Sequence, residues 1–172
     1  MYHNPYKNIY KIKKSTDFVE VVDENNIQLC IMRKQKAMEQ NLFLRSSAII
    51  AQDNKNRYYF FKTPQGINSF NIQILNIGQS YEEAAEDILK LYSAFNLNIL
   101  SKITQLKITS PVLNTFVNIY KCRIKPSFAL QELPEEKQGF FIDKDELAGI
   151  KTDFPDLLNP FIHHLIQHNI LI

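Results

Sequence analysis

The chain is expected to fold as a mixed α/β protein, and three features of its pattern carry that expectation. Apolar, β-branched and aromatic runs flank turns rich in Asp and Asn, as antiparallel hairpins do. Between the strand runs lies one long amphipathic segment, Ser80 to Phe95, with helical spacing of its apolar residues. A further helical stretch closes the chain, and nowhere do strands and helices alternate in the βαβ manner of a doubly wound sheet.

With 172 residues, the chain suits one domain spanning 1–172. A domain of that size buries about 70% of the surface its unfolded form exposes. Hydrophobic residues make up 45% and charged residues 22%, which excludes an intrinsically disordered chain. A net charge of +2 creates no demand for a nucleic-acid partner. The start, Met1 to Lys7, lacks the apolar stretch of a signal peptide, and no run approaches the length of a membrane span. The expectation is a cytoplasmic protein without membrane contact. Cys30 and Cys122 each fall in a strand-like run with no Cys or His at metal-ligand spacing, and are expected to be buried thiols of a reducing compartment.

Residues 1–14 form a basic arm in which Tyr2, Tyr6 and Tyr10 interleave with Lys7, Lys11, Lys13 and Lys14. Aromatics among cations can stack on bases or grip phosphates, and a solvated terminus or an oligomer contact accounts for the same pattern. Asp17 to Asp23 reads as a strand, Asp23 to Asn26 as its turn and Ile27 to Met32 as the paired strand. A short helix over Lys34 to Gln40 follows. Ser47 to Ala51 and Arg57 to Lys62 are strand runs on either side of the turn Asp53 to Asn56, and read as a second hairpin.

The central helix starts at a capping box: Ser80 and Glu83 have the spacing at which each side chain satisfies the other residue's orphan N–H. Glu82 and Glu83 suit the positive end of the helix dipole. Ala84, Ile88, Leu91 and Phe95, with Ala85, Leu89 and Tyr92 alongside, form a broad apolar stripe expected to face a core. Beyond it, Ile103 to Ile108 and Val112 to Lys125 read as strands. Asp156 to Ile172 reads as a helix after Pro155, broken or kinked at Pro160. His163, His164 and His168 lie on that tail. Only His164 and His168 have the i,i+4 spacing of a metal pair, no third ligand accompanies them, and they read as ordinary helix residues.

Gly78 to Ala85, Gly-Gln-Ser-Tyr-Glu-Glu-Ala-Ala, resembles the approach to a Nudix box, whose pattern is G-x5-E-x7-R-E-U-x-E-E-x-G-U with U aliphatic. In that register the catalytic acids are missing. Gln79 stands for the first Glu, and Asp87-Ile88-Leu89-Lys90-Leu91-Tyr92 replaces Arg-Glu-U-x-Glu-Glu. Gln73 and Ala94 replace the outer glycines, and Ile72-Gln73 stands where active members generally carry a Gly-Gly pair. The family's chemistry needs Mg²⁺ or Mn²⁺ held by carboxylates beside a diphosphate, and neither Ile88 nor Leu91 can ligate a metal. Gly66, Gly78, Gly139 and Gly149 are the only glycines, few for a phosphate-cradling protein.

The stretch before the box is similar to the Nudix branch related to isopentenyl-diphosphate isomerase: a Val-Asp-Glu-Asn hairpin, a helix, then Leu42-Phe43-Leu44-Arg45-Ser46 in place of Leu-x-His-Arg-Ala. Leu44 takes the place of a metal-binding His, and no cysteine occurs between Lys62 and Gly78, so the resemblance lacks both isomerase groups. Phe128 to Glu132 and Gly139 to Leu147 are similar to the family's late loop, final strand and following helix. There Gln138 stands near the position of a catalytic Glu, with Glu135 and Glu136 just upstream.

The resemblance implies a Nudix-like α/β/α sandwich with a mixed β-sheet. It further implies a nucleotide-like or diphosphate ligand held by Arg45 and Lys62 as anion contacts, with Phe61, Tyr59 and Phe141 as apolar walls; a protein partner or a homodimer is equally compatible with it. The functional expectation is a degenerate Nudix-like binding domain without a metal cofactor. The alternative is a divergent hydrolase using Mg²⁺ or Mn²⁺ on relocated ligands, drawn from Glu82, Glu83, Glu86 and Asp87 with Glu135 and Glu136.

Overall fold

The computed structural model describes residues 17–63, 66–68, 72–91, 101–111, 113–124 and 139–172. β1 (Phe18–Val22) and β2 (Gln28–Arg33) pair antiparallel as a separate two-stranded sheet. In their turn, Asp23 Oδ1 accepts from the N–H groups of Asn25 and Ile27, both at 2.8 Å. Asn26 takes a left-handed φ of 65°, which its short polar side chain tolerates. α1 (Lys34–Glu39) follows and buries Ala37.

The second sheet has seven strands: β3 (Phe43–Gln52), β4 (Tyr58–Thr63), β5 (Gly66–Asn68), β6 (Gln73–Ile74), β7 (Ser101–Ile108), β8 (Asn114–Arg123) and β9 (Gly139–Ile142). Its main path runs β5-β4-β3-β8-β7. β3 and β8 run parallel from Phe43↔Asn114 to Gln52↔Arg123, while β7 pairs antiparallel with β8. The hairpin expected around residues 53–56 closes only at its root, where Gln52 faces Tyr58. β4 then leaves β3 and pairs with β9 and β5. Its run of four aromatics, Tyr58 to Phe61, is buried on both faces, so β4 needs cover on two sides.

Period-two alternation sorts these strands onto two cores. Ala48, Ile50, Tyr58, Phe60, Val117 and Ile119 share one, and Ile49, Ala51, Tyr59, Phe61, Tyr120 and Cys122 the other. The second core lies under α2 (Tyr81–Leu91), which contributes Ala85 and Ile88. The first is covered by α3 (Lys144–Asp153) through Leu147 and by α4 (Pro160–Gln167) through Phe161, Ile162, Leu165 and Ile166. Each such fully buried aliphatic side chain stabilises the fold by about 1.5–3 kcal/mol. The result is an α/β/α sandwich around a mixed sheet. A third, smaller core joins Val19 and Val21 of the hairpin to Ala37, Leu44 and Ile74.

Gly139 shows why one of the few glycines is placed where it is. A Cβ there would collide with the Phe60 carbonyl and the Tyr59 ring, and the Gly139 N–H donates to the Tyr59 hydroxyl at 2.8 Å.

Three expectations need correction. The tail is helical over less than 156–172 and is broken, not kinked, at Pro160: a 3₁₀ turn over Pro155–Leu157 precedes α4, which Pro160 begins. Proline has no N–H to lose in a first turn, and Asn159 caps the helix by accepting from Phe161 N at 2.9 Å. The helix then stops before Asn169, at φ 54°. Cys30 is exposed rather than buried, because β2 turns most of its residues to solvent. Leu91, placed on the apolar stripe, is 59% exposed, since the core under α2 ends one turn earlier. Tyr92, Ala94, Phe95, the 1–14 arm, the 128–132 stretch, Glu135, Glu136 and Gln138 lie outside the described residues.

Candidate functional site

The loop leading into α2 is built from backbone ties to two strands. Leu75 N–H donates to the Arg45 carbonyl at 2.9 Å and Ile77 N–H to the Phe18 carbonyl at 3.0 Å. Gly78 then takes φ 68°, a left-handed conformation that favours glycine. The capping box is formed in both directions: Ser80 N–H donates to Glu83 Oε2 at 2.7 Å, and Glu83 N–H to Ser80 Oγ at 3.1 Å. Ser47 Oγ donates to the Tyr81 carbonyl at 2.6 Å and pins the first turn over β3.

Gln79 and Asp87 take the two positions that the resemblance gives to an acid and an Arg. Here Gln79 Nε2 donates to Asp87 Oδ2 at 2.8 Å, while Gln79 Oε1 accepts from Asn76 N–H at 3.0 Å. Lys90 Nζ binds the other Asp87 oxygen at 2.7 Å. Loop and helix are therefore held together by groups internal to the protein, with donor and acceptor exchanged between the two positions.

Ile88, where the resemblance would put the first helix carboxylate, is 1% exposed and packed among Ile49, Ala51, Tyr59 and Tyr120. Leu44, where the resemblance would put the isomerase His, is fully buried beside Val19, Val21 and Ile74. Glu82 is held by the Tyr120 hydroxyl, which donates to Oε1 at 2.8 Å. That hydrogen bond lowers the Glu82 carboxyl below its ordinary value. Burial in turn pushes the Tyr120 phenol up to about 12, so it stays a donor at neutral pH. Glu86 is exposed, Glu83 caps the helix, and Asp87 is tied to Gln79 and Lys90. Among the described residues no three of His, Cys, Asp and Glu converge as a metal site, the tail histidines included. His163 Nε2 instead lies 2.9 Å from the Pro155 carbonyl. The donor set among the described residues does not fit a hard divalent cation, which takes about six oxygen ligands.

The four residues expected to hold a ligand do not converge. Arg45 lies on the α2 side, but its guanidinium donates to Glu20 at 2.6 Å and to the Asn26 side chain and carbonyl, each at 2.8 Å. It fastens the hairpin turn to β3. Phe61 is buried under α2, and Phe141 stacks edge-on to Tyr59 with centroids 5.1 Å apart. Lys62 is exposed and, by strand alternation, points to the opposite face, opposite Ile67 of β5.

A polar chain on β7 and β8 was missed by the sequence reading. Gln105 Nε2 donates to Asn118 Oδ1 at 2.8 Å, Asn118 Nδ2 lies 3.4 Å from the Tyr120 hydroxyl, and that hydroxyl reaches Glu82. Lys102, Gln105 and Lys107 are exposed on the same face of β7, and the Lys107 ammonium sits 4.8 Å from the Phe43 ring centroid. The available signal was Asn118 and Tyr120 at period two in a stretch that also holds Phe116, Val117, Ile119 and Cys122.

Among the described residues no helix is long and apolar enough to cross a membrane. No protein-family model matches the chain, and no curated protein does. Solved structures do resemble it. The crystal structure of DR0079 from Deinococcus radiodurans superposes with a TM-score of 0.56 at 17% identity, covering 80% of this chain and 89% of that one. Its solution structure, described as a hypothetical Nudix protein, gives 0.49 at 12% over 90% and 95%. Tm1382, a candidate Nudix hydrolase, gives 0.50 at 11% over 85% and 86%. At such identities the likeness establishes the fold, which is Nudix-like.

Proposed function

We propose that this chain is a Nudix-like binding domain, related to the isopentenyl-diphosphate isomerase branch, in which metal-dependent diphosphate hydrolysis has been lost. The observation that carries this is the burial of Ile88: the position that should offer a carboxylate to Mg²⁺ offers an alkyl group to the core instead. The Gln79–Asp87 hydrogen bond supports it, because the side chains at two box positions satisfy each other across loop and helix. The hairpin, short helix and Phe43–Gln52 strand in succession support the branch assignment.

The ligand in this reading is nucleotide-like or diphosphate-bearing, and the α2 face offers it Lys102, Gln105 and Lys107 beside the Tyr120–Glu82 pair. Ammonium groups meet phosphate oxygens there, and the edge of the sheet supplies amide hydrogen bonds.

The test is a phosphate-release assay with a panel of nucleoside diphosphate compounds and Mg²⁺ or Mn²⁺, run beside isothermal titration of the same mixtures. The expected outcome is metal-independent binding without turnover. Metal-dependent turnover that is lost in Glu82→Gln or Glu86→Gln would establish the hydrolase with relocated ligands instead.

A further inference from the structure

The two strands of the first hairpin are buried very unequally. Val19, Val21 and Val22 of β1 are buried, whereas β2 is exposed along almost its whole length. Ile27, Leu29 and Ile31, with Met38 of α1 just beyond, are four of the eight large apolar side chains that the described residues leave in solvent, and Leu29 is 65% exposed. Single exposed apolar residues are ordinary, but a run of them along one strand marks a contact surface. The hairpin is fastened through its turn and β1 instead, by the bonds from Arg45 to Asn26 and Glu20.

β2 is also an open edge. Among the described residues it pairs with β1 alone, and the Lys34 N–H donates to the Asp17 carbonyl at 2.7 Å. Ladder alternation from that bond turns the N–H and C=O groups of Ile31 and Arg33 away from β1. An extra residue bends β2 near Leu29, opposite Val21 and Val22, and the pairing is regular from Cys30 to Arg33. Lysines commonly keep edge strands from pairing. β7, an edge of the larger sheet, carries Lys102 and Lys107, but no charge occurs between Ile27 and Met32.

Charge lies at the two ends of β2. The turn before it holds Asp23 and Glu24, and its exit holds Arg33, Lys34 and Lys36. Glu24 remains 81% exposed although Lys107 lies 3.6 Å away, and Glu39, farther along α1, accepts from Gln35 of the same helix at 2.9 Å. A second copy laid antiparallel along β2 sets the acidic turn against the basic exit at both ends and the apolar middle against itself. A parallel copy would oppose like charges. The strand is therefore complementary to itself under two-fold symmetry.

We propose that β2 is the interface of a homodimer, in which two copies of this chain meet antiparallel, edge to edge. The interface stands whether or not the proposed function of the α2 face is correct.

Sedimentation equilibrium of the full chain, with hydrogen exchange read by NMR over a concentration series, tests it. A dimer is expected, and exchange at the Ile31 and Arg33 amides should slow roughly ten-fold or more as the dimer forms. Leu29→Lys should weaken association roughly ten-fold or more, because an ammonium would be buried against apolar residues. Glu24→Lys should weaken it too, and adding Arg33→Glu should restore it, while Ile103→Lys on β7 leaves it unchanged. The proposal fails if the chain is a monomer at about 0.1 mM, if Leu29→Lys associates as tightly as the parent, or if the slowed amides lie on other elements. A monomer that dimerises only after residues 1–14 are deleted also overturns it, because the N-terminal arm would then be the occupant of β2. A thermal melt of each variant separates lost association from lost fold.

Discussion

The two faces of the seven-stranded sheet differ in how their polar groups are satisfied. Under and beside α2, Gln79 binds Asp87, Asp87 binds Lys90, Tyr120 binds Glu82 and Arg45 binds Glu20 and Asn26. On the other face, around the 53–56 turn, the Gln52 amide faces the Asn56 carbonyl at 3.5 Å and the Tyr58 hydroxyl, and Lys55, Lys121 and Lys144 form no ion pair among the described residues. The first face closes its polar groups into pairs that join loop, helix and strands, and the second does so only at its turn. Groups that satisfy one another act as scaffold, and on the α2 face the one left to meet a ligand is Lys102 of β7, beside the Gln105–Asn118 pair.

The strongest way to break this contrast is Ile88→Glu, which places an acid where the resemblance puts a metal ligand. A carboxylate there would be buried without a partner, and the variant should lose at least about 3 kcal/mol in urea denaturation. If it instead folds normally and binds Mg²⁺, the α2 face is a dormant metal site rather than scaffold. A smaller effect is expected from Arg45→Met. It removes the donors that Glu20 and Asn26 accept while keeping the apolar stem, and should cost about 1–3 kcal/mol. A loss near zero would free Arg45 to act as an anion contact. The smallest change sharpens the other side: Gln52→Leu removes the buried amide that faces the Asn56 carbonyl and the Tyr58 hydroxyl, and should cost about 1 kcal/mol or less in the same denaturation. A gain in stability would mean that neither contact holds the turn.

Much of the fold was legible because local chemistry and tertiary structure agree. The turns at 23–26 and 53–56, the Ser80–Glu83 box and the period-two strands follow from short-range hydrogen bonding and alternation. The tail was misread because Pro160 serves equally as a helix breaker or a first helical residue, and only the Asn159 cap decides. Cys30 was misread because a strand run tells which residues alternate, not which side is covered. Among the candidate ligand residues, Arg45 and Lys62 both looked like free cations. Arg45 is bound to a turn 19 residues away in sequence, a partnership no spacing rule predicts.

The sequence by itself determined the Nudix-like sandwich, the position of the box helix and the absence of acids at positions 88 and 91, since these depend on residue identity and local periodicity. Tertiary structure alone decided that Ile88 packs against Ile49, Ala51 and Tyr120, that Gln79 reaches Asp87, and that Arg45 is held by Glu20 and Asn26. Those outcomes depend on which strand lies beside which, and pairing such as that of β3 with β8, more than sixty residues apart, is set by the packing of the whole sheet.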